Sequence, residues 1–371
     1  MKKYSFLALS LMLLFGCNST GNCEKLTLKD AYKNIFYIGT ALNEKQITGE
    51  DESSVNVVKS NFNSITAENI MKSEAMQPVE GEFDFTLSDK FVEFGEQNDM
   101  QIIGHTLIWH SQAPDWFFVD ENGDDVSPEV LMQRMRSHIL TIVGRYKGRI
   151  HGWDVVNEAI EDDGSWRKSK FYEILGEDFI RIAFELAHEA DPDAELYYND
   201  YSMTNEGRRN RVISMVKTLQ EKGIKIDGIG MQGHLNMNHP SIEEFEKSIV
   251  NFSDLGVKVM ITELDLSVLP SVRRNDGANI ANQIEYNEKI NPYVDGLPKE
   301  IEEKQHQRYT DFFRLFVKHQ DKIDRVTLWG VNDAQSWKND WPVRGRKDYT
   351  LLFDRDNNPK DVVKEIINLV K

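Results

Sequence analysis

The feature that most constrains the fold is a repeating unit: a short apolar run rich in β-branched residues, a loop, and a longer segment with helical periodicity. Strands that alternate with helices pair in parallel through right-handed crossovers. Eight such units predict an α/β fold, a single (β/α)8 TIM barrel, in which the loops that follow the strands build the active face. The candidate strands are Tyr37–Leu42, Ser64–Ala67, Gln101–Trp109, Ile150–Glu158, Glu195–Asp200, Gly228–His234, Lys258–Leu266 and Val326–Asn332. Helical patterns between them include Val130–Tyr146, Phe179–Ala190, Arg209–Lys222 and Ile242–Leu255.

Length and charge limit the classes of function. The chain has 371 residues, 40% of them hydrophobic, and no linker-like break inside, which favours one large domain. Its formal net charge is −17. So acidic a protein is not expected to bind nucleic acid, or an anionic membrane surface, through its own charge. A neutral polysaccharide is compatible with this charge.

The N-terminus has the pattern of an export signal. Lys2-Lys3 precede an apolar run from Phe6 to Phe15 that is too short to span a bilayer. The run ends at Gly16 and is followed at once by Cys17, which resembles a bacterial lipobox with Cys17 as the lipidated first residue. The alternative is an ordinary signal peptide with an incidental cysteine. After lipidation Cys23 is the one free cysteine, so neither a disulfide framework nor a cysteine metal site is expected.

These observations divide the chain into three segments. We predict a lipoprotein signal peptide over residues 1–17, a polar tether over 18–30 and a catalytic barrel over 31–371. Residues 1–17 hold two lysines and no acids, so their removal would take the formal charge from −17 to −19. The protein is then an exported bacterial lipoprotein of the outer membrane or cell surface, in contact with the membrane through its lipid anchor alone.

Two glutamates lie at the ends of candidate strands. Glu158 closes the run Gly152–Glu158, and Glu263 lies in the run Val259–Asp265. Carboxylates at the ends of buried strands are poorly solvated and point at a shared mouth. A retaining glycosidase needs such a pair: one carboxyl group protonates the leaving oxygen and one carboxylate attacks the anomeric carbon. Either residue taken alone could equally form a salt bridge.

Side-chain alternation predicts the surroundings of the pair, because residues two apart on a strand share a face. Glu263 and Asp265 share a face, as do Gln232 and His234 on the preceding strand. His234 is therefore expected to hold Glu263 and to be oriented by Asp265, which keeps Glu263 ionised. For Glu158, a less solvated setting is expected to raise the pKa and retain the acid form.

Other polar and aromatic residues fit the same mouth. The same alternation places His105, Leu107 and Trp109 on one face, and puts His110 on the opposite face from His105, which argues against a metal shared by the two histidines. Three of the seven tryptophans lie among polar residues within Trp329–Trp341, as in a wall on which sugars stack. Two long loops stand out. They span Ser111 to Pro128 and Leu269 to about Glu303, and the second is either a solvated connection or a substrate lid.

Several motifs together resemble glycoside hydrolase family ten, the endo-β-1,4-xylanases. The resemblance runs from about Leu42 to Phe353. The motifs are Glu68-Asn69-Ile70-Met71-Lys72, Gly104-His105-Thr106-Leu107-Ile108-Trp109-His110, Asn157-Glu158, Asn199-Asp200-Tyr201 and Thr262-Glu263-Leu264-Asp265. One position departs from the common family pattern: Ser73-Glu74 stands where Trp-Asp is frequent, which affects the distal glycone end and leaves the catalytic pair untouched.

The resemblance implies a role for each matching residue. Glu158 resembles the acid/base, Glu263 the nucleophile, and Asn157 the residue that binds the substrate 2-hydroxyl. The subsite just before the cleaved bond is implied at His105, Trp109, Gln112, Gln232, His234 and Trp329. The next glycone subsite is implied at Glu68, Asn69 and Lys72, a flanking wall at Tyr201 and Trp337, and a supporting partner of His234 at Asp265.

The sequence therefore predicts a retaining endo-1,4-β-xylanase that acts by double displacement on xylan and xylo-oligosaccharides. We expect a monomer that needs no metal and no other cofactor. One alternative is a retaining barrel glycosidase active on β-glucan. Another is a non-catalytic glycan-binding lipoprotein, which would have no need of two glutamates that face one bond. A sugar isomerase on the same fold would require a carboxylate metal cluster, for which the sequence gives no pattern.

Overall fold

The computed structural model describes residues 26–270, 290–342 and 344–371. Cys17 and residues 271–289 of the second long loop lie outside these ranges. Within them the strands are β1 (Tyr37–Leu42), β2 (Ser64–Ala67), β3 (Gln101–Trp109), β4 (Gly152–Asn157), β5 (Glu195–Asp200), β6 (Gly228–Met231), β7 (His234–Asn236), β8 (Lys258–Ser267) and β9 (Ile323–Leu328). The helices are α1 (Leu28–Tyr32), α2 (Glu44–Thr48), α3 (Glu52–Asn61), α4 (Ser73–Met76), α5 (Thr86–Gln97), α6 (Pro128–Arg145), α7 (Lys170–Leu175), α8 (Asp178–Ala190), α9 (Glu206–Glu221), α10 (Ile242–Ser253), α11 (Lys299–Lys318) and α12 (Asp361–Asn368).

The strands form a closed parallel barrel. β1 pairs with β2 on one side and with β9 on the other, and the order continues through β3, β4, β5, β6 and β8 back to β9. β6 and β7 both pair with β8, so they are two parts of one barrel strand interrupted at Gln232-Gly233. The barrel therefore has eight strand positions, and the predicted (β/α)8 fold is confirmed.

Local chemistry explains where the helices begin. Ser127 caps α6 by accepting a hydrogen bond from the backbone N–H of Val130, and Pro128 occupies the first helical turn. Ser241 and Glu244 form a reciprocal capping box at the start of α10. The apolar faces of such helices pack on the outside of the barrel. At Gly104 a Cβ atom would lie 2.1 Å from the ring of Trp153, so only glycine admits this indole.

Two predicted strands differ from the observed ones in a way that affects side-chain faces. β3 pairs His105 with Asp154 but Ile108 with Val156, so the register shifts by one residue between them. Leu107 consequently packs in the main apolar cluster, and the prediction that it shares a face with His105 and Trp109 is wrong. The last strand ends at Leu328 instead of Asn332, so the polar segment from Trp329 onward follows the strand.

The edges of the predicted segments also shift. α1 begins at Leu28, and because Leu28 is fully buried, ordered structure starts inside the segment predicted as a tether. In the first long loop, Phe117 and Phe118 are buried and a short 3-10 helix spans Asp115–Phe117. The second long loop ends earlier than predicted, because α11 starts at Lys299. Among the described residues, none of the helices combines the length and apolar character needed to cross a bilayer.

Candidate active site

The barrel brings both predicted catalytic glutamates to its C-terminal mouth. Glu158 directly follows β4, and its backbone has a φ of 57°, in the left-handed region that costs a non-glycine residue roughly 1–2 kcal/mol. Glu263 lies within β8. Both side chains are nearly buried, with 7% and 5% of the residue exposed. Gln232 connects them, since its side chain binds Glu158 and its backbone oxygen accepts from the N–H of Glu263 at 2.7 Å.

Donors from two other strand positions of the barrel, β3 and the break between β6 and β7, hold the carboxylate of Glu158. Trp109 Nε1 donates to Oε2 at 3.0 Å, and Gln232 Nε2 donates to Oε1 at 3.0 Å. The predicted sugar ligand Asn157 is adjacent, and its amide lies 3.0 Å from the amide of Asn199. The structure thus places Trp109, Gln232 and Asn157, to which the resemblance gives roles in sugar binding, around the acid/base candidate.

The expected rise in the pKa of Glu158 is wrong. Burial raises this pKa, but His110, the hydrogen bonds from Gln232 and Trp109, and the charge of Arg167 outweigh burial and hold the pKa below its usual value. His110 is partly buried, and this desolvation lowers its pKa to about 4 and leaves it neutral at pH 7. The hydrogen bonds and Arg167 therefore remain to favour the ionised carboxylate at neutral pH, the form that a general base requires.

Glu263 is held by two side chains. His234 Nε2 lies 3.1 Å from Oε2, and Asn199 Nδ2 donates to Oε1 at 2.7 Å. Asn199 is fully buried and in turn accepts a hydrogen bond from Thr262 Oγ1 at 2.6 Å. Sequence reasoning gave Asn199 no role, although it lies within a quoted motif at the end of a strand. Its contact with Glu263 depends on how β5, β6 and β8 pack across the barrel interior.

His234 links the nucleophile candidate to a second carboxylate, as predicted. Its Nδ1 lies 2.9 Å from Asp265 Oδ2, and Asp265 is fully buried. Burial alone would lower the pKa of His234, but Asp265 and Glu263 together raise it to about 9. For Asp265 burial acts in the opposite direction and would raise the pKa. The charges of His234 and Lys338 and the hydrogen bond from the Trp337 indole outweigh burial and keep the pKa of Asp265 below its usual value. His234 is thus an imidazolium at neutral pH that donates to both carboxylates.

This raised pKa predicts a pH-dependent stability. An imidazolium that is favoured in the folded state stabilises fully below the unfolded pKa of ~6.5 and loses its effect as the pH rises through about 9. Between pH 6.5 and 9.5 we expect the thermal unfolding midpoint of the wild type to fall further than that of His234→Asn. The excess should correspond to on the order of 3 kcal/mol. Parallel pH dependences in the two proteins would contradict the assigned charge.

The predicted glycone residues form a second cluster beside Trp109. Lys72 is buried, and its Nζ donates to Asn69 Oδ1 at 2.7 Å and to Gln112 Oε1 at 2.9 Å. The same ammonium lies 4.7 Å from the centre of the Trp109 ring. Burial lowers the pKa of Lys72, whereas nearby carboxylates, including both catalytic candidates, oppose this. The cluster presents amide groups and one cation next to the acid/base.

Aromatic rings also pack against two histidines of the mouth. His105 Nδ1 lies 2.8 Å from Asp154 Oδ2, and its ring meets Trp329 edge to face at 5.3 Å. Trp337 Nε1 donates to Asp265 at 2.7 Å while its ring lies 5.1 Å from that of His234. The indole of Trp337 therefore borders the nucleophile side of the mouth, as a sugar-stacking wall requires.

The remaining predicted wall residue, Tyr201, leads to a residue that sequence reasoning missed. Its hydroxyl accepts a hydrogen bond from Arg167 Nη2 at 2.7 Å, and Arg167 Nε donates to the backbone oxygen of Glu158 at 2.7 Å. Arg167 lies on a hairpin closed by the bridge between Ile160 and Trp166. The Asp163-Gly164 turn is the sequence signal that could have shown this return of the chain.

The arrangement defines a class of protein. Two buried carboxylates, each with its own set of donors, share the mouth of a (β/α)8 barrel with tryptophans and amide side chains, as in a barrel glycoside hydrolase. The sequence matches Glycosyl hydrolase family 10 over residues 27–369. The chain belongs to this family, and the predicted resemblance is confirmed.

Individual relatives are similar in sequence to this chain over nearly its whole length. The chain is 49% identical to endo-1,4-beta-xylanase A of Xylanibacter ruminicola, with all of both sequences covered. It is 47% identical to a solved family 10 endoxylanase from a sugarcane soil metagenome, with a TM-score of 0.89 and coverage of 94% of this chain and 100% of the other. A solved mutant enzyme in complex with xylotriose is 37% identical, with a TM-score of 0.83 and coverage of 93% and 100%.

Proposed function

We propose that the protein is a retaining endo-1,4-β-xylanase that hydrolyses internal bonds of xylan by double displacement. The observation that carries this function is the pair Glu158 and Glu263, which the barrel holds in one mouth with separate donors. Family membership and the full-length similarity to enzymes named as endo-1,4-beta-xylanases support xylan over β-glucan.

In the first step the carboxylate of Glu263 attacks the anomeric carbon while Glu158 gives its proton to the glycosidic oxygen. The imidazolium of His234 and the amide of Asn199 fix both oxygens of Glu263, so the nucleophile needs little reorganisation. Bound sugar would cover Glu158 further and strengthen the desolvation that raises its pKa, which supplies the acid form when it is needed.

In the second step Glu158, now a carboxylate, removes a proton from water, which releases the sugar from Glu263 with retained configuration. The hydrogen bonds from Trp109 and Gln232 suit this state, since they favour the charged form. Glu158 is the residue that gives up and regains a proton in this cycle, whereas Glu263 forms and releases a covalent bond without changing its protonation.

A hydrolysis panel tests the substrate. We expect reducing sugar from xylan and arabinoxylan and little from mixed-linkage β-glucan, with the double variant Glu158→Ala/Glu263→Ala as the blank. Activity on the glucan alone would favour a β-glucanase. Binding of xylan without release of sugar by the wild type would favour the non-catalytic glycan-binding protein.

We further propose that the enzyme is a monomeric exported lipoprotein anchored through Cys17 at the outer membrane or cell surface. The support is the sequence pattern that ends in Gly16-Cys17 and the polar segment after it. The acidic protein surface is repelled by anionic headgroups, so a lipid is the physical means of attachment. Sedimentation of the detergent-free protein would reveal any dimer.

Cys17→Ser should release the protein from membranes or leave its precursor unprocessed, because the thioether to lipid cannot form. The matched control is Cys23→Ser, which leaves partition into the detergent phase unchanged. The measurement is detergent-phase partitioning of the three expressed precursors. A wild type found wholly in the aqueous phase, and cleaved elsewhere than before Cys17, would contradict the anchor and leave the xylanase function intact.

A further inference from the structure

We propose that Arg167 is a positioning residue for the acid/base: it fixes the backbone of Glu158 and sets the pH range over which the enzyme works. This inference rests on the proposed function. Arg167 itself has no contact with the reacting atoms among the described interactions. It acts through Glu158 and Tyr201, both of which it binds.

The geometry shows why Glu158 needs such a residue. Its left-handed backbone is strained for a side chain larger than glycine, so the surroundings must hold it in place. The N–H of Glu158 donates to Asn199 O at 2.9 Å on one side, and its carbonyl accepts from Arg167 Nε at 2.7 Å on the other. Without the second bond the carbonyl loses its described partner and the turn can relax, which moves the carboxylate.

Arg167 is itself held rigidly. Only 9% of the residue is exposed. Its backbone N–H donates to Ala159 O at 2.9 Å, Nη2 donates to Tyr201, and Nη1 lies 3.0 Å from Glu161. The planar guanidinium is thus held through Nε, Nη1 and Nη2, so it couples the position of the hairpin to that of Glu158. A lysine has a single ammonium group and could not reproduce this geometry.

Its charge acts on Glu158 as well. The cation favours the ionised carboxylate, so its removal should raise the pKa of Glu158. The other titratable or charged groups that act on Glu158 or Arg167 from neighbouring elements are His110, Lys72, Asp200, Tyr201 and Glu161. His110 is neutral at pH 7, and burial raises the pKa of Asp200 to about 7, so Arg167 is a constant charge while these two titrate at or below neutrality.

The experiment compares pH profiles of kcat/KM on xylan for the wild type, Arg167→Met and Arg167→Lys. Arg167→Met should lose roughly 10²-fold in kcat/KM and shift the alkaline limb of its profile to higher pH by about half a unit or more. Arg167→Lys should also lower kcat/KM, because it lacks the planar guanidinium. Its alkaline limb should stay at the wild-type pH, because the positive charge is retained. The rate of glycosyl-enzyme formation from an aryl xyloside with a good leaving group should change by less than about tenfold in both variants, because this step needs little protonation.

Arg211→Met is the matched control. Arg211 Nε holds the same hairpin through Gly164 O at 2.7 Å, and its guanidinium lies 5.4 Å from the Trp166 ring. This variant loosens the hairpin without touching Glu158, so its pH limb should stay at the wild-type position. An active wild type whose limb does not move in Arg167→Met, or moves equally in Arg211→Met, would overturn the inference alone. A wild type inactive on xylan would overturn the proposed function as well.

Discussion

Glu263→Ala loses activity on xylan and on activated aryl xylosides alike, by on the order of 10⁴-fold or more. A good leaving group cannot rescue this variant, because the missing group is the one that forms the bond to the anomeric carbon. The measurement is the steady-state rate on both substrates. Unfolding midpoints confirm that the barrel of the variant is intact. Glu243→Ala, the same change on the exposed face of α10, is the control and should be neutral.

Added azide gives this prediction a stereochemical test. In Glu263→Ala, azide would enter from the side of the missing carboxylate and yield an inverted, α-configured product in a single displacement. Normal activity of the variant on an activated aryl xyloside, without azide, would show that Glu263 is not the nucleophile.

Glu158→Ala separates the two halves of the reaction. Xylan cleavage should fall by roughly 10²–10⁴-fold, since a sugar leaving group needs protonation. Release of dinitrophenolate from an activated xylobioside should continue as a rapid burst, followed by a slow steady state, because the covalent intermediate then lacks its base. Stopped-flow absorbance at the dinitrophenolate band measures both phases.

Azide should accelerate the slow phase of Glu158→Ala and give a β-configured product, because it attacks an α-linked intermediate. The matching change Glu158→Gln keeps the volume and should behave in the same way. Loss of the burst in both variants would mean that Glu158 takes part in bond formation and that the two roles have been exchanged.

The barrel and the catalytic pair could be predicted because their signals are local. β-branched runs alternate with helical patterns, and Glu158 and Glu263 each lie beside the strand that positions them. The triad of Glu263, His234 and Asp265 followed from alternation within and between neighbouring strands. These features need no knowledge of how distant segments meet.

The rest depends on contacts that span the barrel. Alternation failed at Leu107 because β3 shifts register, a change that no single residue announces. The direction of the pKa shift at Glu158 was wrong because the charge of His110 and the hydrogen bonds from Gln232 and Trp109 together outweigh burial. Asn199 was missed for the same reason, since it reaches Glu263 from another strand, whereas Arg167 was missed because the hairpin that returns it to Glu158 was not recognised.

The anomeric form of the first product tests the double displacement most directly. Proton NMR recorded within the first minute of hydrolysis, before mutarotation, should show the β-anomer of the new reducing end rising first and the α-anomer appearing later. This result follows if Glu263 forms a covalent bond and Glu158 then activates water on the same face of the sugar. An α-anomer formed first would mean one direct displacement by water and would contradict the roles given to both glutamates.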